Sequence, residues 1–269
     1  MDLQVEYDNR ARVPENPAII AGWQRDAAAF RATWAEAELG IAYGAGGREK
    51  LDLFRPGPGE DWPVALFLHG GYWQALDRSF FSHMARGMLA RGVAVAVPSY
   101  DLCPQVTLAA ITDQMRAAAM LLHRRSGRRL LATGHSAGGH MAAMLMATDW
   151  RARDPRLPAD LVPAGLPISG VFELEPLLPT SIGAGLRLTP EEARALSPRH
   201  LPSPGFPLHA VVGGAESGEF LRQTRDFAAA WGGTAEVVPG LNHFTILAPL
   251  AAPDSALSRR AAAMALAVG

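Results

Sequence analysis

From Pro63 onward the chain alternates short continuous apolar runs with stretches of helical spacing. Val64–Leu68, Val93–Val97, Arg129–Thr133, Gly165–Ile168, Leu208–Val212 and Ala235–Val238 read as strands. Ser79–Arg91, Leu108–Arg124, the run from His140, Glu219–Trp231 and Ser255–Ala267 read as helices between and after them. Apolar runs without polar alternation mark strands buried on both faces, and the intervening helices supply the two covers. The pattern therefore predicts an α/β fold with a mostly parallel central sheet and helices on both faces. Upstream, a helix is expected over Pro17–Ala37, with Asn16 as N-cap and Pro17 at the first helical position. Gly40–Tyr43 and Lys50–Phe54, split by Gly44-Ala45-Gly46-Gly47, read as an antiparallel hairpin at a sheet edge. Residues 170–207 break the rhythm. They are proline-rich, with one helix opened by Thr189-Pro190-Glu191-Glu192, and read as a short lid inserted over the carboxyl edge of the sheet. A meandering surface loop is the alternative.

Composition narrows the class. At 269 residues and 49% hydrophobic, the chain can bury a large core, and residues 1–269 are read as one domain. A net charge of −1 gives no reason to expect nucleic acid as a partner. Cys103 is the sole cysteine, which excludes an intrachain disulfide and a cysteine-based zinc site, and fits a reducing compartment. The start of the chain shows no basic segment followed by an apolar one, and no apolar run reaches the roughly 18–20 residues of a membrane span. A cytoplasmic protein without membrane contact is the expectation. His83, His123, His200 and His209 are scattered without metal-ligand spacing, so no metal or other cofactor is assigned.

The chemistry concentrates in three places. Gly134-His135-Ser136-Ala137-Gly138 lies between a strand and a helix, the context in which G-x-S-x-G forms a nucleophile elbow. Serine is a weak nucleophile and needs a base oriented by a carboxylate. His243, in the loop after the last strand, meets the first need. Glu216, just past the preceding strand, meets the second, in the order serine, acid, histidine. Glu219 is read instead as a first-turn helix residue favoured by the helix dipole. His69-Gly70-Gly71-Tyr72-Trp73 follows the first parallel strand. There Gly70 and Gly71, with Ala137 after the serine, offer backbone N–H groups to an oxyanion. His69 is expected to orient that loop without transferring protons. Tyr72, Trp73, His135 and Phe244 adjoin these motifs as candidate pocket walls, with core packing the alternative for the aromatic three.

On these motifs the chain resembles α/β-hydrolases of the HGGxW group, which includes the arylformamidases (kynurenine formamidases) and related esterases. Tyr7-Asp8-Asn9-Arg10, Ser99-Tyr100-Asp101-Leu102-Cys103-Pro104 and Glu219-Phe220-Leu221-Arg222-Gln223 extend the resemblance over nearly the whole chain. The group often carries aspartate where Glu216 stands. The resemblance implies a cofactor-independent serine hydrolase acting on short-acyl aryl amides such as N-formylkynurenine. A general short-chain carboxylesterase is the alternative, and a non-catalytic ligand- or partner-binding member of the fold is the rival from another class. The partner expected is a small acyl amide or ester, with a homodimer left open.

Overall fold

The computed structural model describes residues 1–269, which build a sheet of eight strands in the order β1-β2-β4-β3-β5-β6-β7-β8. The strands are β1 Ala37–Ala42, β2 Lys50–Phe54, β3 Val64–Leu68, β4 Ala94–Pro98, β5 Leu130–His135, β6 Ala164–Ile168, β7 His209–Gly213 and β8 Thr234–Val238. β1, β2 and β4 pair antiparallel, and every pair from β4 through β3 to β8 is parallel. The hairpin thus sits at the edge, and an α/β-hydrolase sheet follows it.

The continuous apolar runs are explained by two cores, one on each face. Alternate residues of β3 serve opposite sides: Leu66 and Leu68 enter one cluster, Ala65 and Phe67 the other. The twelve helices are α1 Leu3–Tyr7, α2 Asn9–Arg12, α3 Asn16–Thr33, α4 Arg86–Leu89, α5 Leu108–Ser126, α6 Ala137–Met146, α7 Trp150–Arg153, α8 Ser181–Leu186, α9 Pro190–Ala195, α10 Gly218–Trp231, α11 Ala248–Ala251 and α12 Ala256–Val268. Residues of α5, α6 and α10 fill the cluster of Leu66, and residues of α3, α4, α11 and α12 that of Phe67.

Three local expectations are corrected. Asn16 does not cap α3. Its side-chain amide donates to the carbonyls of Arg10 and Val13, so it tethers the preceding turn, and the helix begins at Asn16 itself. That helix ends at Thr33 because β1 starts at Ala37, which pairs with Phe54. The helix expected over Ser79–Arg91 is broken into 3-10 turns at Arg78–Phe80 and Ser82–Ala85, followed by α4. Arg31 takes the Ser79 carbonyl at 2.6 Å, an acceptor that a continuous helix would have used internally.

Residues 170–207 hold more structure than one helix. They contain α8, a 3-10 turn at Glu175–Leu177, α9 and a 3-10 turn at Pro198–His200. Helix α9 opens with the capping box that Thr189 and Glu192 announce.

Candidate active site

Strand β5 runs directly into α6 through Ser136, whose backbone has φ 57° and ψ −118°. A non-glycine residue with that positive φ is strained, and strain of this kind is held only by its surroundings. The flanking glycines show how tight those surroundings are. A Cβ on Gly138 would lie 1.9 Å from the Leu68 carbonyl oxygen, and one on Gly134 would lie 2.5 Å from that of Gly138. The Ser136 N–H is anchored on the Ile168 carbonyl at 2.9 Å, which fixes the turn to the next strand.

Glu216 follows β7 and His243 follows β8, so the parallel pairing of those strands brings their loops together. His243 Nδ1–H donates to Glu216 Oε2 at 2.6 Å, which leaves Nε2 with its lone pair. Glu216 Oε1 accepts from Ser169 Oγ at 2.5 Å and from the Gly213 N–H at 2.7 Å. His135 Nε2–H donates to the His243 carbonyl at 2.7 Å, tying the elbow to the histidine loop. Burial pushes the His135 pKa well down, so that ring stays neutral. No hydrogen bond joins Ser136 Oγ to His243, although both line one cavity.

The loop after β3 is clamped in place. His69 Nδ1–H donates to the Gly70 carbonyl at 2.7 Å, and the ring is sandwiched between Tyr100 and Phe81 at 4.2 Å and 5.7 Å. Burial lowers its pKa to about 4, so the ring is uncharged at neutral pH and its one N–H stays on the Gly70 carbonyl. The Gly70 and Gly71 N–H groups have no acceptor in the chain, and the Ala137 N–H, in the first turn of α6, has none inside its helix. Gly70 lies against the elbow: a Cβ on it would sit 3.1 Å from Ser136 Cβ.

These parts face a cavity of about 390 Å³ lined by Gly70, Gly71, Tyr72, His135, Ser136, His243 and Phe244. Trp73 is not among them. It is wholly buried and packs edge-on against His140 at 4.9 Å. Positive φ at both Tyr72 and Trp73 turns the chain so that the two rings part, one to the cavity and one to the core. The expectation of Trp73 as a pocket wall is therefore corrected.

The sequence reading assigned no wall to the N-terminal arm, yet Gln4, Tyr7, Asp8, Asn9 and Arg10 all line the cavity, as does Trp23 from α3. Residues 170–207 contribute only Ser181 and Ile182. The arm is held by specific bonds. Tyr7 Oη donates to Glu219 at 2.8 Å and accepts from Gln223 at 2.5 Å, while the Ser181 N–H donates to Gln4 at 2.8 Å. Arg222 meets both Glu219 oxygens at 2.8 Å and holds that carboxyl below its usual range. Glu219 is thus a buried structural acceptor as well as a first-turn acid. The signal that could have exposed the arm is the Tyr7–Arg10 motif, which joins an aromatic to three polar residues where nothing else calls for them.

Away from this cavity, Glu173, Glu175 and His200 bring three potential metal-ligand atoms within 4.8 Å of one another. Arg222 already pairs with Glu173 at 2.8 Å and His200 with Glu175 at 2.9 Å, so their charge is answered within the chain.

Comparison with known proteins points the same way. A family model described as BD-FAE matches residues 51–155. Kynurenine formamidase of Salmo salar is 31% identical over 242 residues, covering 84% of this chain and 81% of the relative. That of Danio rerio is 28% identical, covering 79% and 76%. A crystal structure from Silicibacter sp., provisionally named a thioesterase, superposes with a TM-score of 0.88 at 34% identity, covering 96% and 98%. A thermophilic carboxylesterase cloned from a metagenomic library matches in fold alone, at a TM-score of 0.71 and 19% identity, covering 94% and 96%. A relative this similar over this much of both chains carries more than the fold, and the chain belongs to the kynurenine formamidase family of α/β-hydrolases, as an arylformamidase-like hydrolase.

Proposed function

We propose that Ser136 is the nucleophile of this hydrolase and that its substrates are short-acyl aryl amides of the N-formylkynurenine type. Ser136 Oγ attacks the formyl carbon while His243 Nε2 takes its proton, and Glu216 stabilises the resulting imidazolium. The adduct's oxyanion is met by the N–H groups of Gly70, Gly71 and Ala137. His243 then delivers its proton to the leaving nitrogen, the C–N bond breaks and the arylamine departs. Water attacks the formyl-enzyme with His243 again as base, releasing formate and restoring Ser136.

The observation that carries this reading is the Glu216–His243 hydrogen bond, at 2.6 Å, in the loops beside a strained serine. The unclaimed amides of Gly70 and Gly71 support it, since their donors are free for a developing charge. Trp23, Tyr72, Phe81 and Phe244 line the same cavity and suit a flat aryl group. In this reading residues 1–269 act as one domain, with the N-terminal arm and residues 170–207 forming the roof.

The test is fluorophosphonate labelling with peptide mapping, together with turnover of N-formylkynurenine and of phenyl esters of graded acyl length. Labelling confined to Ser136 and turnover of the formamide are expected. Absence of label and of turnover in a folded sample overturns the serine mechanism. Turnover of short esters alone leaves a carboxylesterase, the activity named for the structural neighbour.

A further inference from the structure

The peptide units of the loop after β3 are trans and planar, so each carbonyl points opposite to the N–H of the next residue. Whatever holds the carbonyl therefore aims the N–H. The His69 carbonyl shares its peptide unit with the Gly70 N–H, and the Gly70 carbonyl shares its own with the Gly71 N–H. Both carbonyls are held by buried side chains. Tyr100 Oη donates to the His69 carbonyl at 3.0 Å, with the Gly70 carbonyl next at 3.4 Å. His69 Nδ1–H donates to the Gly70 carbonyl at 2.7 Å. The two N–H groups thus turn away from the phenol, and neither has an acceptor in the chain.

Tyr100 is built to stay where it is. It stands two residues past β4, the parallel neighbour of β3, and its side chain is wholly buried. Burial drives the phenol pKa well up, so the hydroxyl keeps its hydrogen. Its ring stacks on that of His69 at 4.2 Å and 9°. Its backbone is pinned to the far end of the same loop. Arg48 donates from Nε to the Tyr100 carbonyl at 2.7 Å and from Nη2 to the Leu76 carbonyl at 2.5 Å, and the Cys103 N–H donates to the Trp73 carbonyl at 2.8 Å. A buried hydroxyl needs one acceptor. Core packing gives no reason for this one to bracket two successive carbonyls.

We propose that Tyr100 is a positioning residue that aims the Gly70 N–H at the oxyanion and bars the His69–Gly70 peptide from flipping. The proposal rests on the hydrolase reading above. A flipped peptide would turn the His69 carbonyl oxygen toward the developing negative charge, replacing attraction with repulsion. Donors fixed before the charge appears cost nothing to reorganise at the moment of reaction. The hydroxyl acts through the peptide unit, so its effect falls on the tetrahedral state and not on the binding of substrate.

The experiment compares wild type with Tyr100→Phe, which keeps the stacked ring and removes only the hydroxyl. Steady-state kinetics on N-formylkynurenine and phenyl acetate are read beside the Ki of phenylboronic acid, whose serine adduct mimics the tetrahedral state. Deleting an oxyanion donor outright costs roughly 10²–10³ in kcat, so loosening one is expected to cost about 10-fold or more. KM should stay within about threefold, and Ki should rise by about the factor lost in kcat/KM. An unchanged kcat, a loss carried by KM, or a loss of kcat with Ki unmoved each overturns the proposal. If Tyr100→Phe does not fold, His69→Phe replaces it. That variant keeps the stack between Tyr100 and Phe81, frees the Gly70 carbonyl, and is read by the same kcat, KM and Ki criteria. A folded wild-type protein that turns over neither substrate and takes no fluorophosphonate label would instead sink the parent reading.

Discussion

Glu216 presents both carboxylate oxygens to donors, and its Oε2 accepts from His243 Nδ1–H at 2.6 Å beneath complete side-chain burial of the acid. Ser169 Oγ–H and the Gly213 N–H take the other oxygen. With donors on every side, the position accepts and never gives. A glutamine there has one acceptor oxygen and one NH₂ group. Either the NH₂ confronts His243 and forces the wrong tautomer, or it confronts Ser169 and Gly213.

Glu216→Gln is accordingly expected to lower kcat by roughly 10⁴, the scale seen when a triad carboxylate becomes an amide elsewhere. Glu219→Gln should leave kcat within about threefold and lower the melting temperature instead, because it weakens a charge-assisted pair with Arg222 and the bond from Tyr7. Steady-state kinetics and thermal melts of both variants decide the matter. A greater kcat loss in Glu219→Gln would reassign the acid.

Ser136→Ala should lower kcat by roughly six orders of magnitude and abolish fluorophosphonate labelling. The fold should survive, since alanine keeps the Cβ that packs beside Gly70 and the Ser136 N–H bond to Ile168 is a backbone bond. Circular dichroism checks the fold, and residual activity above about a tenth of wild type in a homogeneous sample would rule out the serine mechanism.

The strands that carry this chemistry were legible because burial on both faces leaves no ambiguity of period. β3 to β7 each fall within a residue or two of their apolar runs. The elbow was legible because glycine is required where a Cβ would meet the Leu68 carbonyl. The roof was not. Helix α8 reads Ser-Ile-Gly-Ala-Gly-Leu, with two glycines that disfavour a helix, and it forms because Thr180 caps it and Gln74 bonds the Ile182 carbonyl. Helices α1 and α2 are too short to show periodicity; bonds to α8 and α10 hold α1, while Asn9 Nδ2 donating to Tyr72 Oη and Asn16 Nδ2 donating to the Arg10 carbonyl hold α2. Such segments are specified by tertiary partners rather than local pattern. Trp73 was misplaced for a related reason: two successive positive φ angles decide its direction, and neither Tyr72 nor Trp73 announces one.

Buried histidines contribute to the loss of stability in acid. Burial pushes His69, His83 and His140 down to about 4. In the unfolded chain an imidazole titrates near ~6.5, so between those values the unfolded state binds more protons than the folded one. Their stabilisation is therefore complete above about pH 6.5, falls as the pH drops, and levels off below about pH 4. Each contributes on the order of 3 kcal/mol at most. The urea midpoint should be clearly lower at about pH 5 than at about pH 7.5, and His83→Gln should flatten that difference. An unchanged slope in the variant would mean that His83 is protonated in the folded protein.

Acyl length provides the last test, because the aryl and the acyl group must share one cavity. Its volume is about 390 Å³, and a Cβ on Gly70 would come within 2.9 Å of the His135 carbonyl oxygen. Trp23 meets Phe81 at 5.4 Å, Phe244 at 6.0 Å and His135 at 6.4 Å, so an aromatic wall closes one side. The Ser181 N–H bond to Gln4 draws the roof shut over it. Along a series with one aryl leaving group, formyl and acetyl derivatives should be turned over well and chains of about eight carbons poorly. Each methylene left outside forfeits about 0.8 kcal/mol of burial, or roughly fourfold in kcat/KM. Gln4→Ala removes the roof contact and should narrow the gap by improving the longer chains more than the formyl substrate. A maximum at long chains in the wild type would mean an open acyl cleft and would discard the formamidase reading of this cavity.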